Sequence, residues 1–240
     1  MLRIIPQSKR LPKGLGRHID HDPANRDYDF RTVAPKGLKT HDVSWAVDGL
    51  VLDQKLLSGC TGFAAAGLCN TTMFKPLRNK LMEGKTLKYK HAVNFYRRAT
   101  RFDPFPGVFE PNDQGSTGNA AAKALREAGY IDVYRWCFSF DAFVAALMTQ
   151  PVMVGTYWTN TMFNPDNGLV RVGRLTNDNI SGGHEYLCTG VRFSDNLLLF
   201  RNSWGSSFGK AGNFTMYIPE FQQLLKADGD VTVPHGAGLP

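Results

Sequence analysis

Long hydrophobic runs are missing from this chain of 240 residues: the longest apolar stretches, Phe63 to Cys69 and Pro151 to Trp158, fall well short of the roughly 18 residues that cross a bilayer. No membrane insertion is expected. The first ten residues carry Leu2, Ile4 and Ile5 but neither an apolar h-region nor a small-residue cleavage site, so no secretory signal is expected. The compartment stays open, with a cytoplasmic place or one in a larger particle as the expectation. Cysteine is scarce. Cys60, Cys69, Cys137 and Cys188 are too few and too scattered for a disulfide scaffold, and no CxxC pair offers a zinc site. Cys60 and Cys69 fall on opposite faces of one expected helix, at about 100° per residue, and should not pair. Internal repeats and low-complexity tracts are absent, and 42% hydrophobic with 20% charged residues excludes disorder.

What is present is a net charge of +7, unevenly placed. Residues 1–40 hold nine Lys and Arg against four Asp, and so account for +5 of it. The rest is near neutral, without an arginine-rich helix or the alternation of aromatic and basic residues that stacks bases. Nucleic-acid binding is therefore not expected. Residues 1–40 are rich in Pro, Gly, Asp, Arg and Lys and have no apolar period. They read as a basic N-terminal extension, with the folded body beginning near His41 and an acidic protein partner favoured for the arm over the cleft of its own body.

Helices are expected from Cys60 to about Phe74, over Lys90 to Thr100, from about Thr117 to Ala128, and over Asp141 to Met148. Strands follow at Val152 to Trp158, Glu185 to Phe193, Leu197 to Asn202 and Asn213 to Ile218. Helices first and strands second give an α+β chain, a helical lobe over about 41–150 and a β lobe over about 151–233, with a short C-terminal tail.

Three familiar patterns fail on inspection. Gly84-Lys85-Thr86 lacks the earlier glycine of a phosphate-binding loop, since that position is Asn79. His184-Glu185-Tyr186-Leu187-Cys188 imitates a zinc signature but lies in a β-like run, where a helix is required. Gly205-Ser206-Ser207-Phe208-Gly209 satisfies GxSxG, with Asp230 and His235 after it, yet too little chain remains to build the sheet around such an elbow. No metal and no cofactor is expected.

A stronger set spans the chain. Gln54 stands six residues before Cys60, which opens an apolar helix, and a helix N-terminus stabilises a thiolate. His184 follows Gly182-Gly183, whose small residues leave room beside an imidazole, and Asn202-Ser203-Trp204-Gly205 comes eighteen residues later. These residue types fit acyl transfer: Cys60 as nucleophile, His184 as its ion-pair partner and proton donor, Asn202 orienting the ring, Gln54 donating to the oxyanion.

In this order and spacing the sequence resembles the papain-like cysteine peptidases, of the bacterial and viral type without a long inhibitory propeptide. The resemblance covers about residues 41–233, from Val43-Ser44-Trp45 through Asp113-Gln114-Gly115-Ser116 to Gly209 and Gly212. Cys60 precedes His184 by 124 residues and Asn202 by 142, near the roughly 130–150 of papain itself. The resemblance implies a two-lobe fold, a helical left lobe and an antiparallel, barrel-like right lobe, with an extended peptide or protein substrate in the cleft between. It implies main-chain contacts to that peptide around Gly115 and Ser116, room beside Gly183, and Trp204 shielding the Asn202–His184 bond. Three positions depart from the family: Thr61 where a Trp is usual, Leu57 where a disulfide Cys stands, and Glu185 where a small apolar residue often lines the specificity pocket. If Glu185 points into that pocket, a basic substrate residue is favoured; the alternative is that it faces solvent or a salt bridge. The reading from another class is a papain-like domain kept as a structural or binding module of a larger assembly; an intact set of Gln54, Cys60, His184 and Asn202 weighs against it.

Overall fold

The computed structural model describes residues 1–8 and 11–236. Lys9 and Arg10 of the basic segment, and the end of the C-terminal tail, lie outside the described residues. The Ala-rich run after Gly59 forms α1 (Cys60–Cys69), buried except at Gly67, as expected of a helix that is apolar all round. It ends earlier than the sequence suggests, and a short 3-10 turn takes Thr72–Phe74. After α2 (Lys75–Met82), helix α3 (Tyr89–Phe102) turns Ala92, Phe95, Tyr96 and Ala99 inward at helical spacing. α1 and α3 cross closely at Gly62, where an added Cβ would lie 2.4 Å from the Tyr96 nitrogen and 2.5 Å from the Ala92 oxygen. Thr117 caps α4 (Gly118–Glu127) by accepting from the Ala120 N–H, and Ser139 caps α5 (Phe140–Thr149) in the same way. α6 (Ile218–Lys226) follows the last hairpin.

The strands are β1 (Leu2–Arg3), β2 (Ile19–Asp20), β3 (Val43–Ser44), β4 (Val133–Trp136), β5 (Val152–Thr159), β6 (Ile180–Arg192), β7 (Leu197–Arg201), β8 (Asn213–Tyr217) and β9 (Asp230–His235). β1 and β2 pair with each other. The rest make one antiparallel sheet in the order β4-β9-β5-β6-β7-β8, with β3 also on β6. Among the described residues β4 and β8, at the two ends of this order, do not pair with each other.

Two apolar clusters flank the cleft. One packs α1, α3 and α4 around Phe63, Phe74 and Leu125, reaching the sheet at Met153 and Leu187. The other packs α5 and α6 on the sheet around Phe143, Trp158, Phe200, Phe214 and Phe221. No helix among the described residues is long and apolar enough to cross a membrane.

The N-terminal segment corrects the expectation of a free extension. Leu15 and Phe30 belong to the sheet-side core, and Arg17, His18 and Ile19 are buried. Sequence periodicity missed this because residues 14–18 attach chiefly through their backbone, which leaves no apolar repeat.

Candidate active site

Cys60 is the first residue of α1, behind Gly59, and the Thr61 N–H of that first turn reaches its sulfur. Gln54 is locked in place just ahead of it. Its amide nitrogen donates to the Leu57 carbonyl (2.7 Å), and its oxygen accepts from the Ser203 hydroxyl (2.6 Å). Its backbone N–H also reaches the Ser203 carbonyl at 2.8 Å. The loop before the thiol and the loop after Asn202 are thus one unit, although about 150 residues separate them in the chain.

His184 stands on β6 opposite Thr156 of β5. Its Nε2 is 2.8 Å from the Asn202 Oδ1, which also accepts from the Ser203 N–H. Nδ1 is buried without a hydrogen-bond partner. The ring stacks on Trp204 at 4.5 Å and 22°, while Trp158 meets both rings edge-on at 5.0 Å. Trp204 therefore covers the His184–Asn202 pair, as the resemblance implies. Trp158 is an unforeseen third wall; in the sequence it is one more aromatic at the end of an apolar run. The backbone N–H of Glu185, next to His184, faces the Cys60 sulfur.

Residues 14–18 run through this cleft, held by their backbone. Gly16 and Arg17 both donate their N–H to the Gly183 carbonyl, at 3.0 and 2.9 Å. On the other wall Ser116 donates to the Gly16 carbonyl and His18 donates to the Ser116 carbonyl, both at 2.8 Å. The Gln54 amide lies 3.4 Å from the Leu15 carbonyl, and the Trp204 indole donates to the Gly14 carbonyl at 2.9 Å. Clearance is minimal. Gly115 has φ +96, and a Cβ there would fall 2.1 Å from the Gly16 oxygen; at Gly183 it would fall 2.2 Å from the Arg17 oxygen. The structure thus brings Gln54, Cys60, His184, Asn202, Gly115, Ser116, Gly183, Glu185 and Trp204 to one cleft and fills it with the chain's own arm.

Covering has an electrostatic consequence. Burial pushes the Cys60 thiol up, against the N–H groups of Glu185 and Thr61, and brings His184 down to about 4 despite its bond to Asn202. Burial thus favours the neutral forms of both groups in this closed chain, against the thiolate and imidazolium expected from the sequence.

A tether joins the cleft wall to the thiol loop. Asp113 accepts from the Ser58 N–H at 3.0 Å and from the Tyr96 hydroxyl at 2.9 Å, and that hydroxyl accepts from the Gly115 N–H at 2.9 Å. Tyr96 was invisible as a site residue, since its place in α3 reads as core. Tyr96→Phe strips a partner from Asp113 and Gly115 together, and should cost about 1–3 kcal/mol. Thermal unfolding should register this as roughly 3–10 °C, and an unchanged midpoint would mean the tether carries no stability.

The GxSxG segment lies between β7 and β8, not between a strand and a helix, and His184 to Cys188 lie within β6.

The fold and the cleft define a class: this is the papain-like fold, α+β, with a thiol at the N-terminus of α1 and a histidine on β6, the strand that helix packs against. Xylellain, a cysteine protease from Xylella fastidiosa, superposes with a TM-score of 0.71 at 18% identity, covering 97% of this chain and 99% of that one. Digestive procathepsin L 3 of the Tenebrio molitor larval midgut matches at 0.64 and 14%, over 93% of this chain and 76% of its own. The proform of the ragweed pollen allergen Amb a 11, a cysteine protease, matches at 0.59 and 16%, over 87% and 70%. No protein-family model matches the sequence, and no curated protein matches it.

Proposed function

We propose that the chain is a cysteine-dependent peptide-bond hydrolase whose own N-terminal arm keeps it latent. The observation that carries this reading is the arm itself: a cleft that grips a peptide segment by its backbone on both walls, with a carbonyl turned to Gln54, is built for peptides. With the arm displaced, water re-enters, the His184 imidazole takes the Cys60 proton through Nδ1, and the thiolate attacks a substrate carbonyl. Gln54 and the Cys60 N–H stabilise the oxyanion. His184 returns the proton to the leaving amine, and the thioester left on Cys60 is hydrolysed by water. Asn202 holds Nε2 and so keeps Nδ1 turned to the sulfur.

The test is the pH profile of Cys60 alkylation by iodoacetamide, followed by peptide mapping over long exposures of the full chain. Only the open fraction reacts, so the shape of the profile, rather than its height, reports the thiol. An isolated thiol of pKa about 8.5 slows by roughly two orders of magnitude from pH 8 to pH 6. The ion pair predicts a change of only a few fold, and His184→Ala should restore the steep fall. Peptide cleavage should vanish in Cys60→Ala. A steep profile in the unaltered chain would favour the structural module instead.

A further inference from the structure

The arm buries a guanidinium close to the thiol. Arg17 is fully buried; its guanidinium donates to Asp230 at the start of β9 and, at 2.6 Å, to the Asp228 carbonyl. Glu185, the residue after His184, is buried in the same pocket. Two glycines make the room. A Cβ on Gly155 would lie 2.6 Å from Glu185 Oε2, 2.7 Å from Arg17 Nε and 2.9 Å from Asp230 Oδ1. One on Gly118 would lie 2.9 Å from Glu185 Oε1 and 3.2 Å from Asp230 Oδ1. Any side chain at either position would evict the carboxylates. Neither Glu185 oxygen accepts a hydrogen bond, and Arg17 Nε and Nη1 donate none. The pocket therefore holds more acceptors than its internal occupant uses.

We propose that Glu185 and Asp230 make this pocket a receptor for an arginine side chain of the substrate, and that Arg17 occupies it as an internal stand-in. This rests on the peptide-hydrolase reading and names its substrate class. An apolar side chain would leave two carboxyl groups desolvated and unmatched, which is the costly arrangement. A planar guanidinium presents five donors in a fixed fork, whereas a lysine ammonium is a strongly hydrated point charge with three, so arginine should lead lysine. Burial, and then the charge of Asp230, hold the Glu185 carboxyl well above its ordinary range, with Arg17 pulling it back. A guanidinium placed to reach Glu185 as well as Asp230 would ionise it and gain a second pair.

The experiment removes the internal occupant and offers a replacement. In full-length Arg17→Gly, an alkylguanidinium should raise the thermal midpoint by several degrees, while the isosteric alkylurea and the unaltered chain show no response. Adding Glu185→Gln and Asp230→Asn should abolish the shift. Equal shifts with urea and guanidinium, or none, would overturn the assignment. This readout needs no catalysis, so it is separate from the hydrolase reading. Should Arg17→Gly fail to fold, paired peptides decide it on the unaltered chain. An arginine peptide should be cleaved about tenfold or more faster than its citrulline counterpart, which keeps the shape and loses the charge. Cleavage that favours leucine or phenylalanine would sink the arginine pocket and leave the hydrolase standing.

Discussion

Gly16→Val should convert the chain from one whose Cys60 is nearly inert to alkylation at pH 6 into one that reacts at least about a hundredfold faster. Gly16 sits at φ +126, and a Cβ there would land 2.1 Å from the Ser58 carbonyl oxygen, on the loop just before the thiol. Both the backbone and the space are closed to any L side chain. The arm in the cleft is held by five main-chain hydrogen bonds from residues 14–18 and the wall, including Gly14 to the Lys55 carbonyl. At about 1 kcal/mol each, with about 2 kcal/mol for burying Leu15, these contacts supply several kcal/mol against the entropy of ordering the arm. Losing even half of this exceeds the roughly 2.7 kcal/mol that a hundredfold represents. Timed alkylation with mass mapping of Cys60 measures the ratio, alongside Gly37→Val as a control, since a Cβ at Gly37 meets nothing within 4 Å. Equal rates in the two variants would remove the arm from any account of latency.

The second large effect is expected at Gln54, measured in the Gly16→Val background. Gln54→Ala deletes the amide that points at the Leu15 carbonyl, the place a reacting carbonyl would take. Removal of one oxyanion donor costs about 10²–10³ in kcat. Alkylation of Cys60 has no oxyanion, so it should change only a few fold. Peptide hydrolysis and alkylation measured on the same preparation separate the two. Parallel losses in both would mean that Gln54 merely supports the loop, through its bonds to Leu57 and Ser203.

Much of the site was legible because its chemistry dictates residue types at long but regular spacing. Cys60 announced itself by opening an apolar helix, and His184 by following two glycines. The strands β5 to β8 stand within a few residues of their expected limits, since their apolar runs end at Gly, Asn and Asp. What escaped notice was held by forces that leave no pattern. α2 carries Leu77, Leu81 and Met82 among lysines and arginines, and its buried Arg78 reads as surface until its bonds to the Cys69 and Thr71 carbonyls are seen. β9 contains Pro234, which argues against a strand in sequence, and with β9 went the placement of Asp230. The arm was misjudged for a related reason. Its charge suggested a partner outside the molecule, whereas Arg17 pairs with Asp230, more than two hundred residues away.

That separation reaches beyond latency to the order of assembly. Arg17 leaves the ribosome long before Asp230 exists, and the wall at Gly183 also arrives late, so the part that fills the cleft is synthesised well before its receptor. Contacts of such span form slowly, because chain entropy must be surrendered before they contribute. A nascent chain that has passed Glu185 but not yet reached β9 has its thiol, its histidine and its arm but only half of the pocket that anchors Arg17. In this protein the sealing of the cleft waits on β9, however early the arm that fills it was made.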